Sequence, residues 1–413
     1  MVAHRAISLF LITMVFVLLP CHVRAATPVH GAKAAGMGTA FAAVADDPSA
    51  IVHNPAGLGF QKGTKLYAGV TGVVTNSSIT DSFGQKEKTD FRVYYPPHLY
   101  VTSDLNTEKI VAGMGIFSPF GIGGRNWPEQ GLTRYLSSES LIATLAANPT
   151  VAWRVYPSLS FACGMVYLWS YDRMEQRVDQ SFVTAADGNS SFEADGDGWG
   201  YNLGLLWRAT DSFNVAVAFR SAITVDLKGK IQLENIALPL QPLFGGSNFS
   251  TPASTDLKFP PIVTVGISWK PCHHWTLALE TEWLGWSSFD RQTIYVENPV
   301  PAAGFNDIVI DLNWKNSWIY KIGVEYLPND NLALRFGYGY SLSPVPDATL
   351  NPTNPDAPQH DFCLGLGYTI NRLTVDLFCI YALYEDRNVS NTILSGKYTN
   401  RSYYSGISLG WLF

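Results

Sequence analysis

From about Thr64 to the end of the chain, apolar and polar residues alternate along segments of ten or more positions. Phe213, Val215, Val217 and Phe219 share one side of such a segment, and Asn214, Ala216, Ala218 and Arg220 share the other. Trp199, Tyr201, Leu203, Leu205 and Trp207 stand likewise against Gly200, Asn202, Gly204 and Arg208. Leu332, Leu334, Phe336, Tyr338 and Tyr340 oppose Ala333, Arg335, Gly337, Gly339 and Ser341. A period of two is the side-chain period of a β-strand. The rhythm predicts fourteen strands, over 64–76, 89–103, 108–117, 147–157, 159–175, 194–209, 212–227, 256–270, 274–293, 309–327, 330–343, 358–370, 372–388 and 398–413. Short connections (103–106, 156–158, 209–211, 271–273, 328–330, 371–372) alternate with long ones, notably 118–146, 228–255 and 344–357.

The second face decides between two β architectures. A soluble sandwich turns its polar face to water, so that face should carry many lysines and glutamates and few glycines. Here it is rich in glycine and alanine, while the apolar face carries tryptophan and tyrosine near strand ends. That is the pattern of an all-β transmembrane barrel with aromatic girdles outside and small or polar residues inside. Tight turns on one side, long loops on the other and an even strand count fit a 14-stranded antiparallel barrel with both termini in the periplasm. The last strand ends Ile407, Leu409, Trp411, Phe413 on one face, a terminal aromatic of the kind that marks outer-membrane proteins for assembly.

Composition agrees: aromatic residues make up 13% and charged residues only 15%, against a usual ~25% charged. Residues 1–25 read as a signal peptide, with Arg5, an apolar run from Ala6 to Leu19 and small residues before Ala26; a lipoprotein reading of Cys21 is disfavoured by Pro20. Beyond Ala26 no window has the ~18 uninterrupted apolar residues of a spanning helix. Cys163, Cys272, Cys363 and Cys379 form no CxxC pair, so neither a metal site nor a disulfide framework is expected, and Cys363 and Cys379 fall on opposite faces of their hairpin. A net charge of −6 with scattered cations excludes nucleic acid as partner. No G-x-S-x-G, H-E-x-x-H or P-loop is present, so no enzyme and no cofactor are expected. The acidic stretch DGNSSFEADGDG (187–198) reads as a solvated external loop, with calcium binding as the alternative.

One stretch breaks the strand rhythm: ADDPSAIVHNPAGLGF, residues 45–60. It closes the longer segment GAKAAGMGTAFAAVADDPSAIVHNPAGL, followed by SPFGIGG at 118–124, FPPIVTVGISWKP, WSSFD at 286–290, WIYKIGVEYLPND and LRFGYGYSLSPVPDATLNPTNPDA at 334–357. Through these motifs the chain resembles the FadL/TodX family of outer-membrane transporters for hydrophobic compounds; the first motif alone also fits related outer-membrane assembly proteins. The resemblance implies a hatch inside the barrel, a groove between long external loops, and a third strand kinked inward so that ligand leaves sideways into the membrane. It places Asn54, Pro55 and Ala56 in the hatch near that gap. The domains expected are a signal peptide (1–25), an N-terminal helical hatch (26–62) and the barrel (63–413).

Physics supplies a reason for a hatch: a lumen this wide is not filled by wall side chains alone. Asp46, Asp47 and Ser49 are candidate helix starters, and Asp46, Asp47, Asn54, Pro55, Ala56 and Gly57 the candidate gate. Arg154, Arg208, Arg220, Lys321 and Arg335 against Glu280, Glu282, Glu325 and Asp376 are candidate lumen charges. Gly113, Gly115, Ser118, Pro119, Phe120 and Gly121 are candidates for the opening, where proline removes a wall hydrogen bond and glycine permits a bend; Pro96 and Pro97 weaken the same wall. Leu132, Tyr135, Leu136, Leu141 and Ile142 in one loop and Ile236, Leu238, Leu240, Leu243 and Phe244 in another are candidate groove residues. Arg220, Lys321 and Arg335 are the cations that could await a carboxylate. The expected function is passive uptake of long-chain fatty acids or similar molecules. The alternatives are monoaromatic hydrocarbons by the same route, or a structural barrel that transports nothing. Expected partners are the hydrophobic ligand, outer-membrane lipid and lipopolysaccharide, and the barrel assembly machinery, with the protein itself a monomer.

Overall fold

The computed structural model describes residues 29–303 and 305–413. The signal peptide at 1–25, the Cys21 alternative and the first residues of the expected hatch lie outside the described residues.

Fourteen antiparallel strands close into a barrel. They are β1 (Thr64–Asp81), β2 (Lys86–Lys88, Val93–Tyr94 and Pro97–Ser103), β3 (Ile110–Phe117 and Ile122–Asn126), β4 (Glu139–Tyr156), β5 (Leu159–Val178), β6 (Gly188–Arg208) and β7 (Phe213–Arg220 and Ile223–Glu234). Then come β8 (Phe249–Phe259 and Ile262–Cys272), β9 (Trp275–Leu284 and Arg291–Val296), β10 (Ile308–Asp311 and Ser317–Tyr326), β11 (Leu332–Ser341), β12 (Gln359–Ile370), β13 (Leu373–Tyr384 and Arg387–Val389) and β14 (Gly396–Leu412). Closure is by β1 on β14, in unbroken register from Lys65 opposite Leu412 to Asp81 opposite Gly396. Such closure leaves no free edge at the first and last strands, as strands in lipid require. Residues 29–62 lie inside, as α1 (Ala32–Gly36), α2 (Ala50–His53) and a 3-10 turn (Pro55–Phe60); α3 (Gln241–Phe244) lies between β7 and β8.

The tight-turn half of the barrel follows the expected polarity. Trp153, Trp207, Trp269, Trp275 and Trp411 are exposed near the turns, and Trp169, Trp199, Trp318 and Tyr403 form a second outward belt. Ser160, Asn202, Ser268, Glu280, Lys321 and Asp376 face inward and are buried. Cys363 is buried and Cys379 exposed, on opposite faces of the β12–β13 pair.

Beyond the second belt the polarity inverts. On β7 the inward residues become Val225, Leu227, Ile231 and Leu233, all buried, while Asp226, Lys228 and Lys230 point out. On β7 a bulge decides which residues turn inward, while β6 keeps one phase throughout: Arg220 faces Asn202 of β6, but Asp226 faces Asp197, so β7 carries one residue more than its partner between them. One extra residue moves every later side chain to the other face. The loop-side half thus has an apolar core inside a charged wall, as a soluble protein does.

This inversion corrects several expectations. Strands β4, β6, β7 and β8 run past the aromatic belt, so 118–146 and 228–255 are only partly loop. Leu141 and Ile142 belong to β4, and the acidic stretch 187–198 lies almost wholly within β6. Its Glu193, Asp195 and Asp197 alternate with buried Phe192 and Ala194, the geometry of a strand and not of a calcium loop. Strand boundaries read from the sequence stop where apolar residues cease to face outward, though the alternation itself continues.

Candidate functional site

The segment inside the barrel is fastened by buried polar groups. Glu280 of β9 accepts the Phe41 N–H at 3.0 Å and the Ala42 N–H at 2.7 Å through one carboxylate oxygen. Its other oxygen holds Lys321 at 3.0 Å, and Lys321 also reaches Glu282 at 2.7 Å. A second network joins Arg335 to Glu325 at 2.7 Å and to Asp376 at 2.6 Å. Lys33 of α1 bridges Asp46 at 2.8 Å and Glu325 at 3.6 Å, tying the inner segment to that network. Lys321 and Arg335 are therefore structural cations. Arg220, by contrast, donates to the Val52 carbonyl at 3.1 Å and has no carboxylate in ion-pair reach among the described residues. Arg154 and Arg208 stand at the turn end, where Arg208 covers the Phe60 ring at 3.8 Å.

Within the hatch, burial pushes the Asp47 carboxyl up to about 6, reinforced by the Asp46 charge beside it. Burial works against the Lys33 ammonium too, yet Asp46 and then Glu325 outweigh it and hold the group above the ordinary lysine range. Burial lowers His53 to about 4, so its ring is neutral and donates from Nε2 to the His30 carbonyl at 2.9 Å. Ser49 occupies the position before α2 but caps it with no side-chain bond; Asp47 instead accepts the Ser49 N–H at 2.7 Å.

Asn54 is a three-way clasp. Its Nδ2 donates to the Ala42 carbonyl at 2.9 Å and to the Leu205 carbonyl of β6 at 3.2 Å, and its Oδ1 accepts the Ala56 N–H at 3.1 Å. Gly204 makes room for it: a Cβ there would lie 2.3 Å from Asn54 Oδ1 and 2.9 Å from Pro55 Cδ. Gly57 is pressed against the Ala45 carbonyl. The clasp thus meets the wall at β6, while the neighbouring Ile51 and Leu58 pack on Gly113 and Gly115 of β3. Those two glycines sit in a regular stretch paired on both sides, so they accommodate the hatch and do not bend the strand. Replacing Asn54 with alanine is expected to speed amide exchange at Ala56 about tenfold, corresponding to one lost hydrogen bond of ~1.4 kcal/mol, with the strands unchanged. Hydrogen-exchange mass spectrometry reads this directly.

The break in β3 lies at residues 118–121. Phe117 faces Ala146 and Ile122 faces Ala143, so four β3 residues span what two β4 residues span. On the other side, the β2–β3 pairing stops at His98 opposite Phe117, and Ile122–Asn126 pairs with β4 alone. Gly121 takes a φ of +89°, a conformation that favours glycine. Phe120 turns inward, buried, and stacks on Phe259 of β8 with centroids 4.0 Å apart. Behind the break is a cavity of about 100 Å³ lined by His30, Thr71, Pro96, Ser118, Pro119, Arg125 and Asn354, among others. Ser118 Oγ, Thr71 Oγ1, Asn354 Nδ2 and His30 Nε2 are buried there with no hydrogen-bond partner among the described residues. Asp356, the one carboxylate of the lining, accepts from Ser343 Oγ at 2.5 Å. Arg125, Thr71 and Asn354 were not singled out from the sequence; Arg125 directly follows the SPFGIGG motif, a signal that could have marked it.

The loop candidates divide. Leu240, Phe244 and, at its edge, Leu243 join the apolar core of the loop-side half, where Phe244, Phe249 and Phe305 meet edge to face. Leu132, Tyr135 and Leu136 stay half-buried outside that core, on a loop fixed by Glu87, which accepts from Leu132 N–H and Thr133, and by Asp187, which accepts from Tyr135 at 2.9 Å. The two groups do not form one shared apolar surface.

Residues 22–411 match the family model described as outer membrane protein transport protein (OMPP1/FadL/TodX). The chain is 21% identical over 380 residues to the long-chain fatty acid transport protein of Escherichia coli K12, covering 82% of this chain and 83% of that one. A Pseudomonas aeruginosa FadL homologue superposes with a TM-score of 0.83 at 17% identity, covering 94% of this chain and 99% of that one. The Pseudomonas putida toluene transporter TodX superposes at 0.77 with 19% identity, covering 93% and 98%. At these identities the superpositions establish the fold.

Proposed function

Because this chain belongs to the OMPP1/FadL/TodX family of outer-membrane transport proteins for hydrophobic compounds, we propose that its cargo is an amphiphile with an oxygen-bearing head, of which a long-chain fatty acid is the type. The cargo is released sideways through the β2–β3 break. The carrying observation is the lining of the cavity behind that break. Buried Ser118, Thr71 and Asn354 bring hydrogen-bonding atoms without partners to one place, beside the Arg125 guanidinium. Leaving such groups unpaired costs about 1–3 kcal/mol each, so a ligand head that engages them binds more tightly than a bare hydrocarbon.

The rest of the molecule supports sideways release. The apolar tail is stabilised by roughly 25 cal/mol per Å² wherever it leaves water, and lipid lies just outside the break. The turn-side exit has Leu66, Leu332 and Trp411 in its lining but also gathers Lys33, Asp46, Asp47, Glu325, Arg335 and Asp376, so it suits a tail less well than lipid does.

The test replaces Arg125 with methionine and measures saturable oleate binding and toluene uptake on the same preparation. Oleate affinity is expected to fall about tenfold or more, the range for hydrogen bonds to a charged group, while toluene uptake stays as it was. Unchanged oleate affinity together with working toluene uptake would transfer the assignment to monoaromatic hydrocarbons. Absence of saturable binding for both, with growth on both unaffected by gene deletion, would leave only the non-transporting barrel.

A further inference from the structure

On the outer face, one strand away from the break, a cleft of about 520 Å³ runs between β1, β2 and β14. Its lining includes Lys86, Lys88 and Arg401, with Asn76, Ser78 and Thr399 among them. The register stacks these groups in rows: Arg401 opposite Asn76, Thr399 opposite Ser78 with Lys88 on its other side, and Thr80 between Lys397 and Lys86. Among the described residues Lys86, Lys88 and Arg401 have no carboxylate in ion-pair reach, and Asp386, also in the lining, is held by Lys397 at 2.7 Å. Many other cations at this end are matched. Arg92, Arg173, Arg177 and Arg387 each have a carboxylate partner, and Lys228 and Lys230 face Asp195 and Glu193 across β6. Three unmatched cations in one cleft repel each other unless an anion joins them.

Height identifies the anion. Tyr403 and Tyr381, ring centroids 5.2 Å apart, belong to the upper aromatic belt, and Arg401 is the next outward residue above Tyr403 on β14. An aromatic belt marks the boundary between acyl chains and head groups, so the cations stand at the level of lipid phosphates. A guanidinium and two ammonium groups beside hydroxyls make a phosphate site of the ordinary kind. We propose that this cleft binds the phosphate of a phosphorylated glycolipid of the outer leaflet, of the lipid A type, and so fixes one lipid next to the break.

The experiment uses the full-length protein in detergent and native mass spectrometry. The probes are bisphosphorylated lipid A, the same lipid stripped of phosphate, and inorganic phosphate as competitor. The wild type should prefer the phosphorylated lipid by about tenfold or more, and the triple variant K86Q/K88Q/R401Q should lose that preference. The charge-preserving K86R/K88R/R401K should keep it, and the heat-dependent gel shift of a folded barrel should be the same for all three. Equal binding of stripped and phosphorylated lipid overturns the proposal, as does a triple variant that still discriminates. Displacement by inorganic phosphate at equal concentration assigns the cleft to a free anion and overturns it too.

Discussion

Replacing Glu280 with alanine is expected to turn a closed barrel into an ion-conducting one. Glu280 accepts two hatch amides, from Phe41 and Ala42, and balances the buried Lys321. Alanine leaves both N–H groups unsatisfied and Lys321 with Glu282 alone. Breaking a buried ion pair from one side costs about 3–5 kcal/mol, and each stranded donor adds about 1–3. The wall does not bear this cost, because its ladder between β9 and β10 is made by backbone groups, in register from Trp275 opposite Tyr326 to Leu284 opposite Ser317. The hatch can escape it by moving away and letting water reach Lys321. Planar-bilayer recordings should therefore show channel openings in Glu280→Ala and near silence in the wild type, with the folded-barrel gel shift kept in both. Glu280→Gln, which retains an acceptor oxygen, should fall between. A silent Glu280→Ala would mean that Asn54 and the Lys33 network hold the hatch unaided.

The second large effect comes from shortening the third strand. Four residues of β3, from Ser118 to Gly121, stand where β4 has only Thr144 and Leu145. Deleting Ser118 and Pro119 removes the surplus and lets β3 run on in one register with β4, its amides now set against the carbonyls of Pro97 and Pro96, which have no N–H to return. The gained ladder bonds are worth about 1 kcal/mol each, so the variant should be at least as stable as the parent. Phe120 would also leave its place on Phe259. Cargo uptake into cells should drop by about tenfold or more, the consequence of a wall with no exit, while the folded-barrel gel shift persists. Normal uptake by the deletion variant would show that cargo leaves by another route.

Much of this was legible in the sequence, for a physical reason. Lipid demands apolar residues outside, so Trp199 to Trp207 and Leu332 to Tyr340 announce both strand and orientation without knowledge of the partner strands. Strand number and the two ends of the barrel followed. The loop-side half was harder because alternation persisted there with its sign reversed: Asp226, Lys228 and Lys230 look like loop residues until Val225, Leu227 and Ile231 are seen to share a core. Among the site residues, the kink at 118–121 was visible as a Pro-Gly cluster, but Gly113 and Gly115 were not separable from it, since a glycine that bends and one that makes room look alike in sequence. The roles of Lys321 and Arg335 depended on which carboxylates sit opposite, and that is a property of register.

The height of the break has its own consequence. Pro97 pairs with Val70, which faces Ile407, and Val93 pairs with Val74, which faces Tyr403, so the interval between them lies from mid-barrel up to the outer aromatic belt. A molecule leaving there enters the outer half of the bilayer and still has the inner half to cross unaided. The bilayer then acts as a second sieve in series with the protein: a protonated acid or a hydrocarbon crosses it, and an amphiphile with a permanent charge stays behind. Selectivity measured in cells will accordingly be narrower than selectivity measured by binding to the purified barrel.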